Sequence, residues 1–344
     1  MVFSHQYYLL SPSLHLQPSL LSWQCEPRSV QITHTELKDA TDMTSDTTVL
    51  ITGTSSGFGF LTTRTLLDEG YTVLAAMRAP DRANADKAAA LRSLAEGAPG
   101  TLHLIAMDVS QDDSVSAAVE VALAWFDHID VVVNNAGVGL GGFCETVTTS
   151  QLRRLFEVNL FGVHRVTRAV LPVMRAGGRG LIINISSIMG RIVIPFSAPY
   201  TASKFALEGL SESWRYELAG TGVEVAIVEP GGFPTAFREN MDSGEDTDRL
   251  QGYGRLVDLP AKMWEGFAER MAGGNAPDPQ RVADAVAGLI KMPHGTRPFR
   301  TVVDPLMDGA GATAVNKTTE AAQADLLKAM AISELVTVHD KEDR

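Results

Sequence analysis

Tyr200 and Lys204 stand four residues apart in Tyr200-Thr-Ala-Ser-Lys204. On a helix that spacing sets both side chains on one face. A phenol beside an ammonium is a proton donor whose anion is stabilised by the neighbouring charge. Ser187 lies thirteen residues before Tyr200, at the end of the apolar run 180–186. A hydroxyl delivered from a strand end to such a pair points to a site that protonates or deprotonates an alcohol oxygen. The other half of that reaction has to be supplied elsewhere in the chain.

The elements that must hold these residues alternate regularly. Short apolar, β-branched runs predict strands over 48–52, 72–77, 102–107, 129–133, 180–186, 223–228 and 299–303. Helical patterns fall between them over 57–69, 81–96, 112–125, 149–174, 198–219 and 281–291. Gly70 is the expected stop of the first helix. Such βα alternation implies one parallel sheet with helices on both faces, and right-handed crossovers. Residues 232–277 break the rhythm, and 306–344 read as a small-residue loop, a short helix over 319–330 and an acidic end.

Several motifs fall at the carboxyl ends of these strands, the edge at which open α/β sheets bind ligands. Thr52-Gly53-Thr-Ser55-Ser56-Gly57-Phe58-Gly59 joins the first strand to a helix. Its glycines allow a pyrophosphate close to the backbone at a helix N-terminus, although an ordinary tight turn would read similarly. Met77-Arg78 ends the second strand, where an acidic residue would bind a ribose 2′-hydroxyl. A neutral side chain beside an arginine suits a 2′-phosphate, unless Arg78 is simply solvated surface. Asp108-Val109 follows the third strand. Its carboxylate either accepts from an adenine amino group or caps the next helix. Asn134-Asn135-Ala136-Gly137 follows the fourth strand, with small residues for close approach and amides able to tie strands together. Asn159, flanked by Val158 and Leu160, is either a surface residue or one that bonds a backbone carbonyl and holds a water. Pro230-Gly231-Gly-Phe233-Pro-Thr235 ends the sixth strand, with backbone groups and a hydroxyl able to bond a carboxamide.

Composition narrows the class. The 344 residues are 45% apolar and 20% charged, with a formal net charge of −12. Such acidity with no basic stripe argues against nucleic-acid partners. The two cysteines, Cys25 and Cys144, make neither a disulfide framework nor a metal cluster. They fit a reducing, cytoplasmic setting. No run reaches the roughly 20 apolar residues of a membrane span. Residues 1–45 show no clear period and read as a poorly ordered extension, and Met43 is a candidate natural start.

Taken together, Thr52-Gly53-x-x-x-Gly57-x-Gly59, Asn134-Asn135-Ala136-Gly137, Asn159, Ser187, Tyr200-x-x-x-Lys204 and Pro230-Gly231 resemble the short-chain dehydrogenase/reductase family over residues 47–305. The resemblance implies a single α/β domain of Rossmann type, a doubly wound parallel sheet of about seven strands in the order 3-2-1-4-5-6-7. It implies a catalytic tetrad of Asn159, Ser187, Tyr200 and Lys204. NADP(H), favoured over NAD(H) because of Arg78, would sit against Gly53, Ser55, Ser56, Gly57, Phe58 and Gly59. Further contacts would come from Asp108, Val109, Asn135, Ala136 and Gly137, then from Tyr200, Lys204, Pro230, Gly231, Phe233 and Thr235. No metal is implied. Homodimers or homotetramers packed through helices 149–174 and 198–219 are expected.

The expected reaction interconverts a secondary alcohol and its ketone. Tyr200 handles the proton, Lys204 lowers the tyrosine pKa and bonds the nicotinamide ribose, Ser187 holds the substrate oxygen, and Asn159 keeps a water in a relay. Leu140, Phe143, Ile188, Met189, Ile192, Phe196, Phe233, Phe237, Met241, Tyr253, Met263, Trp264 and Phe267 are candidate pocket walls, with 232–271 as a lid. Their character suggests a small lipophilic substrate, unless several of them merely pack the core. Two rivals are a nucleotide-binding sensor or scaffold without turnover and an epimerase or isomerase.

Overall fold

A computed structural model describes residues 46–273 and 276–338 of the chain. The expectations for residues 1–45, including a start at Met43, lie outside the described residues. Seven strands form one parallel sheet: β1 (Thr48–Thr52), β2 (Thr72–Met77), β3 (Thr101–Ala106), β4 (Val131–Asn134), β6 (Gly180–Ile185), β7 (Val223–Pro230) and β9 (Arg300–Val303). Their order is β3-β2-β1-β4-β6-β7-β9, which is the predicted topology. Two short strands, β5 (Leu140–Gly141) and β8 (Asp242–Ser243), pair separately.

The central strands are buried along their whole length, as parallel strands covered on both faces must be. Alternate residues feed two cores. Leu50, Val132, Ile182 and Ile227 face α3 (Asp112–Phe126), α5 (Val163–Gly177) and α6 (Ala198–Leu218). Val49, Ile51, Val131 and Ile183 face α1 (Gly57–Asp68), α2 (Ala85–Ala95) and α8 (Gln280–Lys291). Helix α1 stops where expected: Gly70 takes φ 92°, and the N–H groups of Gly70 and Tyr71 close back onto Leu67 and Leu66.

Three stretches differ from the sequence reading. The helix expected over 149–174 is α4 (Thr149–Phe156), a π-helical segment over Glu157–Gly162, and then α5. Residues 232–273 contain β8, a 3₁₀ stretch at Thr247–Leu256 and α7 (Leu259–Ala272). The C-terminal helix is not short: α9 spans Ala310–Ala329, nine residues earlier than its polar, small-residue sequence suggested. It forms because Ala312 and Leu327 bury against the body of the domain, so tertiary packing overrides a weak local pattern. Among the described residues no helix is long and apolar enough to cross a membrane.

Candidate active site

The carboxyl edge of the sheet is built around the join between β1 and β4. Gly53 takes φ 71°, and a Cβ there would lie 2.8 Å from Ala136 Cα. A Cβ on Gly59 would come within 2.4 Å of both Asn135 Nδ2 and Gly53 O. Thr52 Oγ1 accepts the N–H groups of Asn135 (3.1 Å) and Ala136 (3.0 Å). Asn135 Nδ2 donates back to Thr52 O (2.8 Å) and Gly53 O (3.1 Å). These bonds lock the Gly-rich turn to the Asn-Asn-Ala-Gly turn.

The N-terminus of α1 has neither an acidic residue in its first turn nor a side-chain bond from its cap, Ser56. Its free N–H groups and positive dipole end are therefore available to an anion. Ser55 is half-buried and Ser56 exposed at that end. The 230–235 turn closes over it. A Cβ on Gly57 would meet Thr235 Cβ at 3.8 Å, and Phe233 packs edge-on against Phe58 at 5.6 Å. Gly231 N donates to Val303 O at 2.8 Å, and so fixes the turn to β9. The cradle fits a dinucleotide pyrophosphate.

Arg78 is exposed, and among the described residues no side-chain bond or ion pair ties down its guanidinium. It lines a cavity of about 910 Å³ shared with Ser110, Val138, Leu140, Gln151 and Asn240. Asp108 does not cap the next helix, whose cap is Gln111. Its Oδ1 instead accepts Ser110 N (3.0 Å) and Ser110 Oγ (2.7 Å), which shapes the loop beside that cavity. Val109 is buried against Gly162, where a Cβ would lie 2.9 Å from Val109 Cγ2.

The tetrad residues meet across β4, β6 and α6. Asn159 is fully buried in the π segment, a wider turn that displaces a residue from the helical ladder. Its Oδ1 accepts Val138 N (2.9 Å), and its Nδ2 donates to Val138 O (3.0 Å) and Ser203 Oγ (3.1 Å). The surface alternative for Asn159 is thereby removed, and the carbonyl-bonding one is realised. Ser187 Oγ donates to Pro230 O at 3.3 Å and accepts Met189 N at 3.1 Å, and its hydroxyl lies near enough to the Tyr200 phenol to lower its pKa. Lys204 Nζ donates to Ile185 O at 2.8 Å and lies 5.7 Å from the Tyr200 ring centroid. A Cβ on Gly137 would sit 3.5 Å from Asn159 Oδ1 and 3.9 Å from Lys204 Nζ, so Gly137 separates the two. Asn134, expected to tie strands, donates to Asn184 Oδ1 (2.9 Å) and Thr167 Oγ1 (3.1 Å).

The electrostatics differ from expectation in one respect. The Tyr200 phenol is pushed up to about 12 by burial, and the group that pulls it down is Ser187, not Lys204. Burial also pushes the Lys204 ammonium down to about 8, against an upward pull from Glu208. A phenol this weakly acidic is protonated at neutral pH and suited to donate.

Over the phenol lies the 232–271 segment. Phe237 packs edge-on against Tyr200 at 5.5 Å, and Met241 and Phe237 both cover Gly139. Phe143 contacts Phe196 (5.1 Å) and Tyr253 (4.1 Å), and Phe267 covers Gly232 beside Trp264. Phe196 holds φ 60°, unusual for a bulky residue, and its carbonyl accepts Gly142 N at 2.8 Å. Ile188 and Met189 are buried, and with Ile192, Ile194, Val302 and Tyr200 itself they pack around Ala312 of α9, so this small cluster joins the phenol to the C-terminal helix. Sequence reasoning gave no role to Thr52, Ser203 or Glu208. Thr52 and Ser203 sat inside motifs already quoted, but a hydroxyl's partner depends on the fold.

Comparison with known proteins agrees with this geometry. A short chain dehydrogenase family profile matches residues 47–246. The 3-ketodihydrosphingosine reductase of Bacteroides thetaiotaomicron is 36% identical over 259 residues, covering 75% of this chain and 88% of the relative. An uncharacterized oxidoreductase of Bacillus subtilis, YusZ, is 37% identical over 253 residues, covering 71% and 85%. A metagenomic short-chain oxidoreductase solved in complex with NADP superposes with a TM-score of 0.59 at 30% identity, covering 76% of this chain and 98% of that one.

Proposed function

The chain belongs to the short-chain dehydrogenase/reductase family of oxidoreductases, and from that premise we propose that it interconverts a lipophilic ketone and its secondary alcohol, with NADP(H) as hydride carrier and Tyr200 as general acid/base. The observation that carries this reading is the Tyr200 phenol. Ser187 lowers its pKa, Lys204 Nζ stands 5.7 Å from its ring centroid, and Asn159 reaches the same helix through Ser203, at the sheet edge that also holds the glycine cradle.

When bound, NADP(H) supplies or accepts the hydride. In the reductive direction Tyr200 gives its proton to the substrate oxygen, and Ser187 orients that oxygen and stabilises the charge growing on it. Lys204 offers its remaining N–H groups to the ribose. Asn159 Oδ1 keeps a lone pair beside Gly137 for a water that returns a proton from solvent.

Support for NADP(H) comes from the untethered guanidinium of Arg78 and the absence of an acidic residue at Met77. Support for a lipophilic substrate comes from Phe237 against the phenol, from Met241 beside it over Gly139, and from a relative whose name gives 3-ketodihydrosphingosine as substrate. The 232–277 segment acts as a lid that must lift Phe237 off Tyr200 to admit substrate; residues 274 and 275 lie outside the described residues. Leu152 (36% exposed), Phe161 (45%) and Phe205 (42%) lie on α4, the π segment and α6. They support a homo-oligomer through these helices, which sedimentation velocity would show as a mass above 36.9 kDa. The small cysteine count keeps a cytoplasmic setting within the same proposal.

The test is a panel of long-chain and aromatic ketones and alcohols, followed at the nicotinamide absorbance with NADPH and with NADH. Turnover with NADPH is expected. Tight cofactor binding with no consumption across the panel would favour the sensor, and a strong NADH preference would overturn the role of Arg78.

A further inference from the structure

Behind the tetrad, α6 carries a line of ionisable side chains four residues apart: Tyr200, Lys204, Glu208, Glu212 and Tyr216. Glu208 is 1% exposed, and the enzymatic role proposed above does not use it. Its Oε2 accepts Arg300 Nε at 2.9 Å. Its Oε1 has no hydrogen bond among the described residues, although it is fully buried. Arg300 also bonds Glu212 Oε2 at 2.8 Å and lies 3.6 Å from Glu229 Oε1. Glu229 is buried on β7 and accepts Asn316 Nδ2 of α9 at 2.7 Å.

A buried, partly unpaired carboxylate is costly, and it persists only if its surroundings hold it there. Here Arg300 bonds one oxygen, while the other makes no hydrogen bond among the described residues, and the carboxylate lies one helical turn from Lys204. Lys204 itself is 5% exposed and has one hydrogen bond, to a neutral carbonyl. Resting on the function proposed above, we infer that Glu208 is a positioning residue for catalysis, which keeps the buried Lys204 amine charged at neutral pH and so able to serve the tyrosine and the cofactor ribose.

The other ionisable groups around this pair are accounted for. On α6, Tyr200 is neutral at physiological pH, and Glu212 and Tyr216 bond each other at 2.8 Å one and two turns beyond Glu208. On β9, Arg300 acts on Glu208 directly. On β7, burial and the Glu208 charge raise Glu229 to about 7, so it is largely protonated in mildly acid solution. Arg191, after β6, bears on Glu212 and Glu229. Glu208 is the one charge that raises Lys204, against a desolvation that lowers it to about 8. Without the carboxylate, Lys204 loses its proton at lower pH.

The experiment is titration of the Lys204 side chain by NMR in the full-length protein labelled with 13C-lysine, with the resonance assigned through Lys204→Arg. In Glu208→Gln the midpoint should move to lower pH, and the alkaline limb of kcat for ketone reduction should move with it, giving at least a severalfold loss at pH 8 that shrinks at pH 6. Glu208→Asp, which keeps the charge at a shorter reach, should fall between Gln and wild type. This variant also decides the matter if the Gln variant does not fold. Glu212→Gln, which removes an Arg300 partner one turn further from Lys204, should leave the midpoint in place. A Lys204 midpoint unchanged in the Glu208 variants would overturn the inference even if the enzyme is active. A shifted midpoint in a protein that reduces no ketone would instead spare the electrostatic coupling and refute the enzymatic reading.

Discussion

Arg78 shows what a single residue decides. Among the described residues nothing ties down its guanidinium, and it lines the cavity beside the end of β2. A charged hydrogen bond to a 2′-phosphate is worth ~1.5–3 kcal/mol. Arg78→Ala should therefore raise the KM for NADPH by about 10- to 100-fold while leaving that for NADH near its starting value. Steady-state kinetics with both cofactors reads this, and equal effects on the two would remove the 2′-phosphate contact. Residue identities alone carried most of the site. Tyr200-x-x-x-Lys204 and the strand-end glycines marked its two halves, because those types have few substitutes for their chemistry. What residues alone did not reveal is the partner of each polar atom. Asn159 bonds both backbone groups of Val138, and Glu208 lies one turn behind Lys204, but both facts depend on which loops are folded together.

Among the elements, strand ends and helix starts matched the sequence closely wherever a strand is fully buried, since an unbroken apolar run has few other uses. The π segment was not readable in this way. It depends on Asn159 finding Val138 across the loop, not on any local pattern of 3.6 residues. The proposed lid segment was likewise readable only as a break in the rhythm between elements, and β8 and α7 emerge within it. Gly59 tests how tightly the cradle is built. Its missing side chain leaves room for Asn135 Nδ2 and Gly53 O, both 2.4 Å from where a Cβ would stand. Gly59→Ala should shift this backbone, cost ~1–3 kcal/mol of stability as overpacking does, and weaken NADPH binding. Thermal unfolding and fluorescence titration measure the two effects. A variant that binds NADPH as wild type does would mean the turn is looser than its contacts imply.

At the scale of the whole domain, α9 packs onto the body, although the sequence suggested only a short tail helix. It covers Ile188 and Met189 through Ala312 and reaches the buried acid cluster through Asn316. That cluster makes stability depend on pH. Burial, then the Glu208 charge, raises Glu229 from 4.5 to about 7. Between those values the folded state holds a proton that the unfolded chain has released, so stability falls as pH rises through the window. Glu229→Gln should remove that slope, which urea unfolding at pH 5 and pH 8 would show as a variant gaining on wild type at the higher pH. An unchanged difference between the two pH values would mean that Glu229 does not hold the proton.

All of this architecture converges on one phenol. The most direct measurement is the turnover of Tyr200→Phe against wild type with NADPH and the best ketone of the panel, under conditions where both proteins bind cofactor equally. A loss of about 10²–10⁴-fold in kcat is predicted, the usual contribution of general acid/base catalysis. Turnover within a few-fold of wild type would contradict the account.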